Sequence, residues 1–275
     1  LESRRKIMKS PGVRWLALSF LLLPLLVLSA YPDSVNLGTA GSYAVLAGST
    51  VTNTGSSVLT GNLGVWPGTA VTGFPPGIVT GGTIHAADAA AAQAQHDLTI
   101  AYNSAMGLSP TATLTGQDLG NMVLTPGVYF FSSSAQLTGT LTLNNLGNPK
   151  AVFVFQIGST LTTASNSAVI FSSGLNDPNV FWQVGSSATL GTTTSFQGNI
   201  LALTSITLNN GASIGCGSAL ARNGAVTLDN NVIGGGCTGG GGGGGGATVP
   251  EPGTMGLLGT GLVIVAGAAR RRLRI

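Results

Sequence analysis

The chemistry-bearing side chains that recur most regularly in this chain are short hydroxyls and amides. Thr163-Ala164-Ser165-Asn166, Thr192-Thr193-Thr194-Ser195 and Asn210-Gly211-Ala212-Ser213 are three polar quartets, each placed just after a Thr-Leu pair. Such a row offers hydrogen bonds and methyl groups but neither acid, base nor metal ligand. The residues needed for catalysis are thinly spread. Asp33, Asp88, Asp97, Asp118, Asp177 and Asp229 are the only carboxylates between the two ends, and no two sit at strand-alternate spacing. Glycoside hydrolysis calls for two carboxylates flanking the bond. A hydroxyl–imidazole–carboxylate triad assembles in space and leaves little trace in sequence, but His96-Asp97 falls in a helical stretch and no nucleophile-elbow motif is present. His85 and His96, read as one helical face, stand ~16 Å apart along its axis, too far to share an ion. Cys216 and Cys237 are too few for a metal site. An even pair in an oxidising compartment suggests a disulfide. The reading is therefore no enzyme, no cofactor and no metal.

The elements that must hold these rows follow from a repeat. Thr142-Leu143, Thr160-Leu161, Thr189-Leu190, Thr207-Leu208 and Thr227-Leu228 recur at steps of 18, 29, 18 and 20 residues. An 18-residue step suits a three-sided coil of about six residues a side. The long step contains Gly174-Leu175-Asn176-Asp177-Pro178, an expected outward loop. Ala151-Val152-Phe153-Val154-Phe155 and Val180-Phe181-Trp182 read as buried strands. One segment, about 86–105, is helical in propensity, with Ala87, Ala91, Ala94, Leu98, Ala101 and Ala105 on one narrow face. Strand parity then turns positions one and three of each quartet outward: Thr163, Ser165, Thr192, Thr194, Asn210 and Ala212. Decoration of an exposed β surface by Thr and Ser is the competing account.

The two ends carry most of the basic residues. Charged residues make up only 7% of the chain, and its formal +3 comes from Arg4, Arg5, Lys6, Lys9, Arg14 and Arg270, Arg271, Arg272, Arg274. The central region, with Lys150 and Arg222 against six aspartates, is net negative, which argues against nucleic acid. Residues 1–30 read as a secretory leader, with 1–7 a possible upstream extension before Met8 and Leu28-Ser29-Ala30 as the cleavage region. An uncleaved anchor is the alternative, although the apolar run is short for a span. Residues 31–237 form the domain and 238–248 a glycine-rich linker, flexible by composition. Residues 249–275 contain Pro250-Glu251-Pro252, an apolar transmembrane segment and Arg270-Arg271-Arg272. That order resembles the PEP-CTERM sorting signal of Gram-negative bacteria, which implies signal peptidase and exosortase as processing enzymes. It also implies an exported chain, extracellular or at the cell surface, that meets the membrane only through its terminal segments. A plain C-terminal anchor is the alternative, and either places the domain outside.

A second resemblance spans the domain. Leu37-Gly38-Thr39-Ala40, Ala44-Val45-Leu46-Ala47-Gly48-Ser49-Thr50 and Thr72-Gly73-Phe74-Pro75-Pro76-Gly77 are similar to segments of the microbial ice-binding protein family. So are Gly82-Thr83-Ile84-His85-Ala86-Ala87-Asp88, Leu124-Thr125-Pro126-Gly127-Val128-Tyr129 and Ala221-Arg222-Asn223-Gly224-Ala225-Val226-Thr227-Leu228. The resemblance implies a mainly β chain, a right-handed triangular β-solenoid with one long α-helix packed alongside. It implies adsorption to an ice crystal surface through a flat face bearing Thr-Ala/Gly-X-Thr/Asn quartets. Thr163 to Asn166 fits that pattern; Thr193 and Asn210 depart from it. A rigid grid of methyls and hydroxyls holds ordered water, each contact adding on the order of 1 kcal/mol. The alternative is a cell-surface or biofilm-matrix adhesion protein with exopolysaccharide as partner.

Overall fold

The computed structural model describes residues 35–174 and 179–234. The leader, Cys237, the linker, the sorting segment and most of the loop after Gly174 lie outside them. Among the described residues no helix is long and apolar enough to cross a membrane; the segment expected to do so, within 249–275, lies outside that span, as does the leader. The described chain builds three parallel sheets of nine, seven and eight strands. It visits them in a fixed order. Tyr43–Ala47 enters the first sheet, Thr50–Thr54 the second and Val58–Thr60 the third; Asn62–Val65, Ala70–Thr72 and Ile78–Thr80 repeat the circuit.

The strands stack out of chain order. Tyr43–Ala47 is flanked by Asn62–Val65 on one side and by the late strand Ala219–Ala221 on the other, with Val45 opposite Ala219 and Leu46 opposite Leu220. The first coils thus grow in one direction from the middle of the stack. The helix α1, Ala89–Gly107, then carries the chain to the far end, and the remaining coils grow back until the last meets the first. At ~1.5 Å per residue, 19 residues reach about 28 Å, close to six strand spacings. Close packing makes the junction specific. A Cβ on Gly48 would lie 2.4 Å from the Arg222 carbonyl oxygen, so only glycine fits there.

Strand alternation fills the interior. Trp182 stacks on Phe155 with centroids 3.8 Å apart and leans on Phe196 at 4.8 Å, while Tyr129 continues the column at 5.5 Å from Phe155. The Trp182 indole N–H is satisfied by the Gln197 carbonyl at 2.9 Å, so its full burial costs no hydrogen bond. Each such side chain adds roughly 1.5–3 kcal/mol. The expected strands at 151–155 and 180–182 are Phe153–Ile157 and Val180–Val184.

The outer face of the first sheet is covered by α1. Ala94, Leu98, Ala101, Tyr102 and Ala105 pack on Leu46, Leu220, Leu201, Phe181, Val154 and Val128. The stripe of small residues lets the helix lie close, as its sequence suggested. Its start is later than residue 86. Ile84–Ala86 is a strand, Ala87 takes φ +55°, and the Asp88 side chain caps the helix by accepting from Ala91 N–H at 2.9 Å. His85 is therefore on a strand and His96 on the helix, which corrects the reading that both share a helical face. Gln156 Nε2 donates to the Ala105 and Leu108 carbonyls, both at 2.8 Å, and closes the other end.

Candidate functional site

The polar quartets lie mostly off the strands: Thr163 ends a strand of the second sheet, and Ser195 and Ser213 begin strands of the third. They make the corner between the second and third sheets, where Asn166, Thr193, Gly211 and Asn230 take left-handed φ of +60°, +54°, +71° and +51°. For the β-branched Thr193 that conformation is strained, and its Oγ1 sits 2.6 Å from Asn166 Oδ1. Parity cannot run through such a turn. Ser165, Thr192 and Asn210 are exposed, whereas Thr163, Thr194 and Ala212 are buried, which corrects the expectation that all six point outward. Thr163 Oγ1 and Thr194 Oγ1 meet at 2.8 Å inside, and Thr163 Oγ1 also accepts Gly191 N–H at 2.9 Å.

The register between coils also departs from an alignment on the Thr-Leu pairs. Leu161 pairs with Ala188, not with Leu190, so Thr162 and Thr163 stand beside Thr189 and Leu190. Thr142-Leu143 belongs to the third sheet altogether. A two-residue slip preserves which residues face the core, so hydrophobic alternation gives no warning of it.

With the observed register, three threonines of the repeat, Thr189, Thr207 and Thr227, fall into one line with others. Gln136, Thr162, Thr189, Thr207, Thr227, Thr52 and Thr72 are consecutive neighbours across all seven strands of the second sheet. Thr52, Thr72, Thr162 and Thr227 are exposed, and Thr189 and Thr207 half-buried. Strands ~4.8 Å apart give the six threonines a row of about 24 Å. Alternation puts Val51, Leu190, Leu208 and Leu228 beneath, fixing the strands from inside. Among the described residues, no hydrogen bond engages the six Oγ1 atoms, so they face solvent with their capacity free. The neighbouring row is already committed. Thr160 Oγ1 donates to Ser134 Oγ at 2.8 Å, and Ser187 and Ser205 each accept a backbone N–H at 3.3 Å.

Of the described carboxylates, Asp118 is bridged to Gln136 at the end of this line and Asp229 lies two residues beyond Thr227 on its strand, while Asp88 and Asp97 belong to α1 and its cap. Burial pushes the Asp97 pKa up, but hydrogen bonds from Thr39 N–H, Thr39 Oγ1, Gln93 and His96 outweigh it and hold it below the usual value. Burial likewise raises Asp118, and the N–H groups of Gly120 and Thr138 bring it lower. Thr83 Oγ1, His85 and Asp88 form a hydroxyl–imidazole–carboxylate chain with contacts of 2.8 and 2.7 Å. Its carboxylate also caps α1. No group of His, Cys, Asp or Glu among the described residues could hold a metal ion.

Known proteins share this arrangement. Residues 45–234 match the ice-binding-like family. The chain belongs to that family. Over 239 residues it is 60% identical to an ice-binding protein of Nostoc sp. (strain HG1), covering 86% of this chain and 87% of that protein. An ice-binding protein of Flavobacterium frigoris is 33% identical over 73% of this chain and 76% of its own. The crystal structure of an ice-binding protein from an Antarctic biological consortium aligns with TM-score 0.70 at 48% identity, over 73% of this chain and 90% of the other. That of Antarctomyces psychrotrophicus gives 0.70 at 39%, over 74% and 98%. Residues 248–272 match the PEP-CTERM protein-sorting motif. Membership sets the chain apart from enzymes, and Thr83–His85–Asp88 is a structural hydrogen-bond chain. The residues expected from sequence lie at the corner beside the threonine line, which takes Thr189, Thr207 and Thr227 from the Thr-Leu pairs but neither Thr142 nor Thr160.

Proposed function

We propose that this chain adsorbs to ice through the second sheet, with Thr162, Thr189, Thr207, Thr227, Thr52 and Thr72 as the contact line. Exposed Ser165, Thr192 and Asn210 extend it at one margin; Thr163, Thr194 and Ala212 support it from within. The observation that carries this reading is the unbroken register of six free threonine hydroxyls on rigid strands. Each γ-methyl orders the water around it and each hydroxyl anchors that water, at a repeat near those of the ice lattice. Threonine is stiff at χ1, so little rotamer entropy is lost on adsorption. None of the six threonine positions is charged; the nearest carboxylates, Asp118 beyond Gln136 and Asp229 beyond Thr227, stand at its margins. Individual contacts contribute on the order of 1 kcal/mol, and their number holds the protein while growth bulges between adsorbed molecules.

In the same reading, residues 1–30 are removed on export, the domain is 31–237, and 238–248 links it to the sorting segment 249–275. Processing by exosortase at the surface of a Gram-negative bacterium follows from that segment. Cys216 is buried and not a free thiol, and Cys237 is its proposed disulfide partner.

Thermal hysteresis and crystal shaping of the full chain test the site. T189Y/T207Y should lose hysteresis by ten-fold or more while melting within a few degrees of the parent. S195Y, on the third sheet, should retain it. Equal loss in both, or none in the first, would remove the second sheet from the ice contact.

A further inference from the structure

The outward side chains of the second sheet repeat along the stack of coils but not across it. Along the stack, Thr162, Thr189, Thr207, Thr227, Thr52 and Thr72 follow one another strand by strand, ~4.8 Å apart. The row on one side, two residues earlier in each strand, reads Thr160, Ser187, Ser205, Ala225, Thr50 and Ala70. Ala225 and Ala70 bring no hydroxyl to it, and those of Thr160, Ser187 and Ser205 are engaged within the protein. On the other side, two residues later, stand Ala164, Gly191, Asn209, Asp229, Thr54 and Phe74, no two of them alike. There the chain is already turning toward the third sheet.

A crystal plane is set by two repeats, and this face supplies one. Of the ice lattice translations, the a repeat is the shortest and the nearest to the strand spacing, whereas the c repeat falls out of step with the strands. The threonine row therefore matches an a axis. The planes that contain this axis differ in the repeat across the row, and across the row the protein has no repeat to match or to clash with. The flat sheet lies equally well on each of them. Stiffness at χ1 sharpens the choice of direction, because it holds every threonine methyl and hydroxyl at a fixed offset from its strand.

Resting on the ice-contact reading above, we propose that this face recognises a lattice direction rather than a single crystal plane. The row aligns with an a axis and adsorbs to every plane that contains it. That set comprises the basal plane, the primary prism planes and the pyramidal planes between them. The secondary prism planes contain no a axis and stay bare. One row of threonines thus arrests growth both along the c axis and outward from the primary prism faces.

The test grows a single ice crystal into a hemisphere in a dilute solution of the full chain carrying an amine-reactive fluorophore. Lys150, the one lysine among the described residues, is exposed between a third-sheet strand and a first-sheet strand, so the dye there stays off the threonine row. Fluorescence should follow three great circles that cross at the basal pole, one for each a axis, with the secondary prism planes at least ten-fold dimmer. T189Y/T207Y should dim all three circles alike, by ten-fold or more. Isolated patches on one family of planes, or label spread evenly over the hemisphere, would overturn the directional proposal and leave the ice contact standing. Circles left bright in T189Y/T207Y would move the contact off this row and overturn both. A hemisphere that the parent chain leaves dark would remove the ice contact itself, and the directional proposal with it.

Discussion

The first and second sheets come from the same coils, share one core and yet have opposite outer faces. Outward positions of the first sheet carry Leu46, Leu201, Leu220, Phe181 and Val154, and α1 lies over them. The matching positions of the second carry Thr52, Thr189, Thr207 and Thr227, and nothing described lies over them. Backbone geometry is common to both. What differs is the outward side chain, and it decides whether a face becomes interior or interface. A large apolar face left open would invite association. Threonine has enough methyl to favour the strand and enough hydroxyl to remain in water.

That contrast can be broken from either side. The largest effect is expected at the covered face. Leu98→Ala removes the central side chain under α1 and should lower stability by about 2–5 kcal/mol, read in denaturant titration, with hysteresis per folded molecule unchanged. Gln156→Leu leaves the Ala105 and Leu108 carbonyls without their donor and should cost about 1–3 kcal/mol, with hydrogen exchange rising first at the C-terminal turn of α1. Thr163→Val, nearly the same shape, strands Gly191 N–H and leaves the Thr194 hydroxyl only the Ala164 carbonyl. A loss of about 1–2 kcal/mol is expected, and hysteresis preserved per folded molecule would show that the buried corner threonines support the face without touching ice. The smallest effect concerns acid. Asp97 has its folded pKa below the unfolded value of about 3.9, so its contribution is complete above that value and fades as pH falls through the folded pKa. Melting temperature should therefore drop more steeply below about pH 4 in the parent than in Asp97→Asn, measured by calorimetry across that window.

Much of this architecture was legible in the chain. Short apolar strands, a coil-length repeat, one alanine-rich helix and the C-terminal sorting segment are local patterns, and local patterns survive in sequence. The helix start was misplaced because Ala86 and Ala87 have helical propensity, while pairing of Ile84–Ala86 with Asn62–Val65 holds them as strand. The residues singled out from sequence fall at the corner that follows the threonine line. The hydroxyl row Thr192-Thr193-Thr194-Ser195 is conspicuous as a string, yet a left-handed Thr193 folds it into a corner.

The sequence by itself determined that this is a charge-poor, strand-rich domain with threonine at repeating positions, because alternation and composition are set residue by residue. The tertiary structure alone decided that six of those threonines form one line. Thr52 and Thr72 come from the start of the chain and Thr227 from its end, and they adjoin only because the last coil docks on the first. Register between coils depends on packing across the core, and a slip of two residues leaves the one-dimensional pattern unchanged.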